Sequence, residues 1–183
     1  HCLDNVLDSD VSDVVLKADC LSLACAVARL RGDLPSAIGY AEECLRIDRE
    51  SGDDANISSS LNNIAGLYMT YGDAATARKY IDEALEIEEG LGRSAYLAVR
   101  YGVAAEIYLH QGLYAEALDF ADKALKLDSL DNRIGKIAVR RSQKAEVLIS
   151  MDRDDEAFVE LASAVPVFRE MNNLNSLAIS LAQ

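Results

Sequence analysis

The residues of this chain that could carry chemistry are few and poorly spaced for catalysis. Its two histidines, His1 and His110, lie far apart in sequence, and no G-x-S-x-G elbow or phosphate-cradling glycine loop occurs. Acidic pairs such as Glu42-Glu43, Asp82-Glu83 and Glu88-Glu89 are adjacent in sequence, so on a helix they point away from one another and cannot act as a facing acid and base. The four cysteines, Cys2, Cys20, Cys25 and Cys44, form no C-x-x-C pair and have no histidine cluster beside them, which argues against a zinc site or a disulfide framework. An enzyme is not expected, nor a metal or any other cofactor.

Binding chemistry is better represented. Asn62 and Asn63 are paired amides, each able to donate to and accept from a peptide backbone. The segment 133–146 holds five basic residues, Arg133, Lys136, Arg140, Arg141 and Lys144, against the single acid Glu146, leaving 13 of the 18 basic and 30 of the 31 acidic residues elsewhere. Two readings of this strip stand side by side. Long basic side chains can lay their stems on apolar surface and pair with acids such as Glu116, Asp119 or Asp122; alternatively the strip receives an anionic ligand or an acidic partner segment.

The elements that position these residues repeat. From Ile57 to Gly92 the chain reads as two apolar-striped helices joined at Tyr71-Gly72-Asp73: Ile57, Leu61, Ile64, Ala65 and Tyr68 keep the i, i+3, i+4 spacing of one helical face, as do Ala77, Tyr80, Ile81, Ala84 and Leu85. The turn recurs at Gly32, Gly72, Gly112 and Asp152, a period of 40 residues. Small residues recur in phase with it at Cys25, Ala65, Ala105 and Ala145, at Ala37, Ala77, Ala117 and Ala157, and at Cys44, Ala84, Ala124 and Ala164. Cys25 and Cys44 therefore read as small hydrophobes. Fixed small positions among larger apolar ones are what closely approaching helix pairs require. No stretch alternates with period two, so no sheet is expected.

These residues resemble the tetratricopeptide repeat, with Leu61, Ile64, Ala65, Tyr68, Gly72, Ala77, Ala84 and Leu85 matching its pattern in one unit and the likeness running from about Val14 to Met171. The period is longer than the family's usual 34 residues, and the proline that usually closes the second helix is missing, both of which imply longer helices similar to those of extended repeats in bacterial regulators. The resemblance implies an all-α fold, a right-handed α-solenoid of antiparallel helix pairs at about 14–50, 55–89, 94–127 and 134–171. These would form one domain of a longer protein, flanked by partial elements at 1–13 and 174–183. It also implies that first helices line a concave binding face. On the matching phases that face carries Arg29, Asn62, Asn63, Met69, Glu106, His110, Gln143 and Glu146, together with Gly102, Val103 and Leu109. The lysine and arginine clamp that some members use for a terminal carboxylate is not expected here, because its phase is held by Asp19, Ser59, Val99 and Val139.

Composition is consistent with that reading. Half of the 183 residues are apolar, enough for a continuous core. The net charge of −13 argues against general nucleic-acid binding, which rests on neutralising phosphates. No apolar run is long enough to span a membrane, and the compartment, cytoplasmic or periplasmic, stays open. A protein or peptide is the expected partner of a scaffold or sensor region in a bacterial signalling or regulatory protein. The alternative is an assembly protein that homo-oligomerises through its ends or its acidic convex face. Pro166 falls inside the last second-helix and is expected to kink or break it near Ala162 to Val165.

Overall fold

The computed structural model describes residues 14–171, and the expected partial elements at 1–13 and 174–183 lie outside them. Among the described residues there are eight helices and no strand: α1 (Val14–Leu30), α2 (Leu34–Ser51), α3 (Asp54–Tyr71), α4 (Ala74–Leu91), α5 (Ser94–His110), α6 (Tyr114–Leu130), α7 (Ile134–Ser150) and α8 (Asp154–Glu170). They fall into four pairs, of which the first three run one to three residues beyond their expected ends and the fourth stops one residue short. The chain divides into two compact units, His1–Leu91 and Gly92–Gln183. In the first, each of α1 to α4 packs on its neighbour in sequence; in the second, α5 to α8 do the same, and α5 also touches α7.

The turns set this regularity. A left-handed residue stands every 20 positions, at Gly32, Gly52, Gly72, Gly92, Gly112, Asn132 and Asp152, so helices end on a residue of the same hand between pairs as within them. At Gly72 (φ 92°) the amide donates to the Met69 carbonyl and closes α3. Asn132 and Asp152 take the conformation next most readily after glycine, because their short polar side chains tolerate it. The residue after the turn then caps the next helix. In the first unit it is aspartate: Asp33 accepts from the Ser36 amide, Asp53 from those of Ala55 and Asn56, and Asp73 from that of Thr76. In the second unit the same position holds Arg93, Leu113, Arg133 and Arg153, with no side-chain cap.

Small residues lie where the helices meet. Ala65, Ala77, Ala84, Ala105, Ala117, Ala124, Ala145 and Ala157 are each 2% exposed or less. Larger side chains fill the space between them: Leu21 against Cys44 and Ile47 in the first unit, Phe168 against Ala138 and Ala164, and Leu148 against Ala145 and Ala157 in the second. Aromatic rings repeat in phase, with Tyr68 stacked on Tyr80 at 5.6 Å and Tyr108 edge-on to Phe120 at 5.0 Å. Cys20, Cys25 and Cys44 are free thiols, and burial raises the pKa of Cys25 and Cys44 above that of an ordinary thiol.

Pro166 does not break α8. The helix runs without interruption from Asp154 to Glu170, so of the two outcomes expected, a kink or a break, the break does not occur. Both Pro166 and Ala162, whose carbonyl loses its partner, are exposed, so water can satisfy the freed oxygen. Ala164 and Phe168, buried on the opposite face, hold the turns on either side in place.

Candidate functional site

The phases expected to line a binding face divide between the two units. In the first, Arg29 is exposed at the end of α1, while Asn62 and Met69 are half-buried and Asn63 is exposed along α3. The Asn62 side-chain oxygen is enclosed, and among the described residues no donor reaches it. An enclosed acceptor of this kind costs free energy until something donates to it.

In the second unit α5 and α7 form the walls of a cleft of about 240 Å³, lined by Ala105, Glu106, Leu109, Val139, Ser142, Gln143, Glu146, Val147 and Phe168. Three of the expected residues, Glu106, Gln143 and Glu146, meet there, and His110 follows Glu106 by one helical turn. Glu106 and Glu146 occupy the same phase of successive first helices. Burial raises the Glu146 pKa, the Glu106 charge raises it further, and His110 opposes both.

Gln143 is oriented from below. Arg140 donates from Nη1 to Gln143 Oε1 at 2.8 Å, and arginine has no acceptor, so the amide oxygen must face it and the Gln143 NH2 is left for other partners. Arg140 is itself only 6% exposed, and its Nε donates at 3.0 Å to Asp128, which is 1% exposed. Its guanidinium lies over Gly102, where a β-carbon would sit 2.0 Å from Nη1. Gly102, expected to be open to a ligand, is therefore covered.

Three more residues of the basic strip are also paired within the chain. Arg133 reaches Asp128 at 2.9 Å and Asp131 at 3.0 Å, Arg141 reaches Glu160 at 2.9 Å, and Lys144 reaches Asp122 at 2.8 Å and Glu160 at 3.2 Å. Of the acids expected to balance the strip, Asp122 does so, whereas Asp119 pairs with Lys123. Lys136 stays exposed. The strip thus joins α7 to α6 and α8.

One contributor from a second helix escaped the sequence reading. Phe168 of α8 floors the cleft, and its signal was available: the same phase holds Asp48, Glu88 and Asp128 in the other pairs. Those acids also mark a recurring polar contact twelve residues downstream, since Ser60 donates to Asp48 at 2.5 Å as Arg140 does to Asp128.

The family model described as tetratricopeptide repeat matches residues 17–89 and 56–129, more than half of the chain. The chain belongs to the tetratricopeptide repeat family. No curated protein matches it by sequence. Among solved structures, this tetratricopeptide repeat chain is similar to BtubC (BKLC) from P. vanneervenii, at 19% identity over 93% of this chain and 70% of that one, with a TM-score of 0.79. It is similar also to a Rap protein complexed with competence and sporulation factor, at 15% identity over 97% of this chain and 49% of that one (TM-score 0.81). A third likeness is to a Signal Transduction ATPase with Numerous Domains protein with a tetratricopeptide repeat sensor from Pyrococcus horikoshii, at 14% identity over 97% and 31% (TM-score 0.76). At these identities the likeness is one of fold, and the chain spans about half or less of the last two proteins.

Proposed function

We propose that the chain is a protein- or peptide-binding module, the scaffold or sensor region of a larger, bacterial signalling or regulatory protein. The observation that carries this reading is the cleft between α5 and α7, where an apolar floor is bordered by Gln143, Glu106 and Glu146 with hydrogen-bonding capacity left over. Such a surface suits an extended peptide, whose backbone needs polar partners while alternate side chains need apolar ones. The Rap protein of similar fold was solved complexed with competence and sporulation factor, and the Pyrococcus horikoshii protein carries a tetratricopeptide repeat sensor; both agree with this reading. In the first unit Arg29, Asn62, Asn63 and Met69 supply the corresponding contacts. The tetratricopeptide repeat fold generally serves as a non-catalytic interaction scaffold, in keeping with the lack of a catalytic constellation in the sequence.

Affinity capture on the intact protein tests the proposal. The parent and a Lys79→Ala control, altered on the exposed side of α4, should retain the same partner. Asn62→Ala/Asn63→Ala and Gln143→Ala should lose it. Equal capture by all four would overturn the assignment.

A further inference from the structure

The basic side chains around the cleft are committed to acids of α6 and α8, and this leaves its own carboxylates unbalanced. Among the described residues Glu106 and Glu146 have no ion-pair partner, although Arg140 and Lys144 are close by in the same helix, paired with Asp128, Asp122 and Glu160. Beneath the two carboxylates the cleft is apolar, with Phe168 1% exposed and Val147 1% exposed. Its volume of about 240 Å³ corresponds to about eight waters at ~30 Å³ each, enough for one long side chain.

We propose that this cleft takes a lysine or arginine side chain of an extended partner peptide, with the aliphatic stem on the half-buried Leu109 and Val139 and the charge between Glu106 and Glu146. The inference deepens the peptide-binding reading and rests on it. Charge complementarity decides the occupant. A cation relieves the repulsion between two like charges and hydrogen-bonds to both, whereas an acidic side chain would add a third negative charge and an apolar one would leave both carboxylates beside it without a partner. Lysine and arginine alone combine a stem that covers apolar surface with a charged end. The free Gln143 NH2 is then placed to donate to the backbone carbonyl of the same peptide.

The test is selection of the full chain, as parent, Glu146→Gln and Glu146→Lys, against a displayed library of random ten-residue peptides, read by sequencing. Thermal melts confirm that each variant folds. The parent should enrich peptides with a basic residue at one position. Glu146→Gln should lower that enrichment at least tenfold, and Glu146→Lys, whose ammonium would pair with Glu106 in place of the peptide's, should abolish it. If the parent enriches peptides without a basic position, or if parent and Glu146→Gln enrich the same set, the inference falls while the peptide-binding reading stands. If nothing is enriched, both fall. Self-association of the parent that Glu146→Gln abolishes would identify a second copy as the occupant and overturn the proposal.

Discussion

Arg140 shows how a residue selected for its charge can serve a different end. Its phase lay next to the expected binding face, yet its guanidinium is folded over Gly102 and held between Asp128 and Gln143. Removing one member of a buried pair leaves the other charge uncompensated, a loss of about 3 to 5 kcal/mol. Because Arg133 also reaches Asp128, Arg140→Ala should cost about 3 kcal/mol, the lower end of that range, in urea unfolding. Gly102→Ala should act in the same direction by displacing the guanidinium. Glu146 behaves oppositely. Its folded pKa is raised above the ordinary 4.5, so its ionised form is disfavoured by folding. Stability is therefore fully present below about pH 4.5 and declines as pH rises through the raised value. Glu146→Gln should be more stable than the parent at pH 7 by about 0.5 kcal/mol, the size of an exposed charge interaction, with the gap closing as pH falls below 4.5. Melting curves across this range would check it; a less stable variant at pH 7 would contradict it. The sequence revealed that these residues were charged, but pairing depends on which helices lie alongside α7, and for Arg140 that partner comes from α6.

At the scale of the element, periodicity did nearly all the work. Small residues recurring with the turn located the helix contacts, and those positions are closed to solvent in both units except at Cys25, which is half-buried. Replacing Ala117, 0% exposed, with leucine should overpack the α5–α6 contact and cost about 1 to 3 kcal/mol, read as a lower midpoint in urea with an unchanged slope. Asp53→Ala should remove the bonds to the Ala55 and Asn56 amides and cost about 1 kcal/mol; no loss would mean that water caps α3 equally well. The turns between pairs were legible too, because Gly52 and Gly92 fall midway between the glycines within pairs, but a 40-residue comparison passes over a 20-residue spacing. That α8 continues through Pro166 has a physical reason. The rule that proline breaks a helix assumes that the freed carbonyl is costly, and on an exposed face flanked by buried Ala164 and Phe168 it is not.

At the scale of the molecule, the repeat identifies the fold, whereas recognition depends on side chains that vary from pair to pair. Glu106 and Glu146 stand where the first two pairs have Ala26 and Gly66, and Phe168 stands where they have acids. These departures give the second unit its cleft, and a comparison that rewards periodicity is least sensitive to them. The account rests on first-helix side chains doing the binding, and the most direct measurement is calorimetric titration of the captured partner against the intact chain. Asn62→Ala/Asn63→Ala should bind about 1 to 3 kcal/mol more weakly if each amide makes one buried hydrogen bond, with little change in stability, and Lys136→Ala should bind as the parent does. Unchanged affinity in the double variant, together with loss of binding in Lys136→Ala, would place the site on the basic strip and contradict the account.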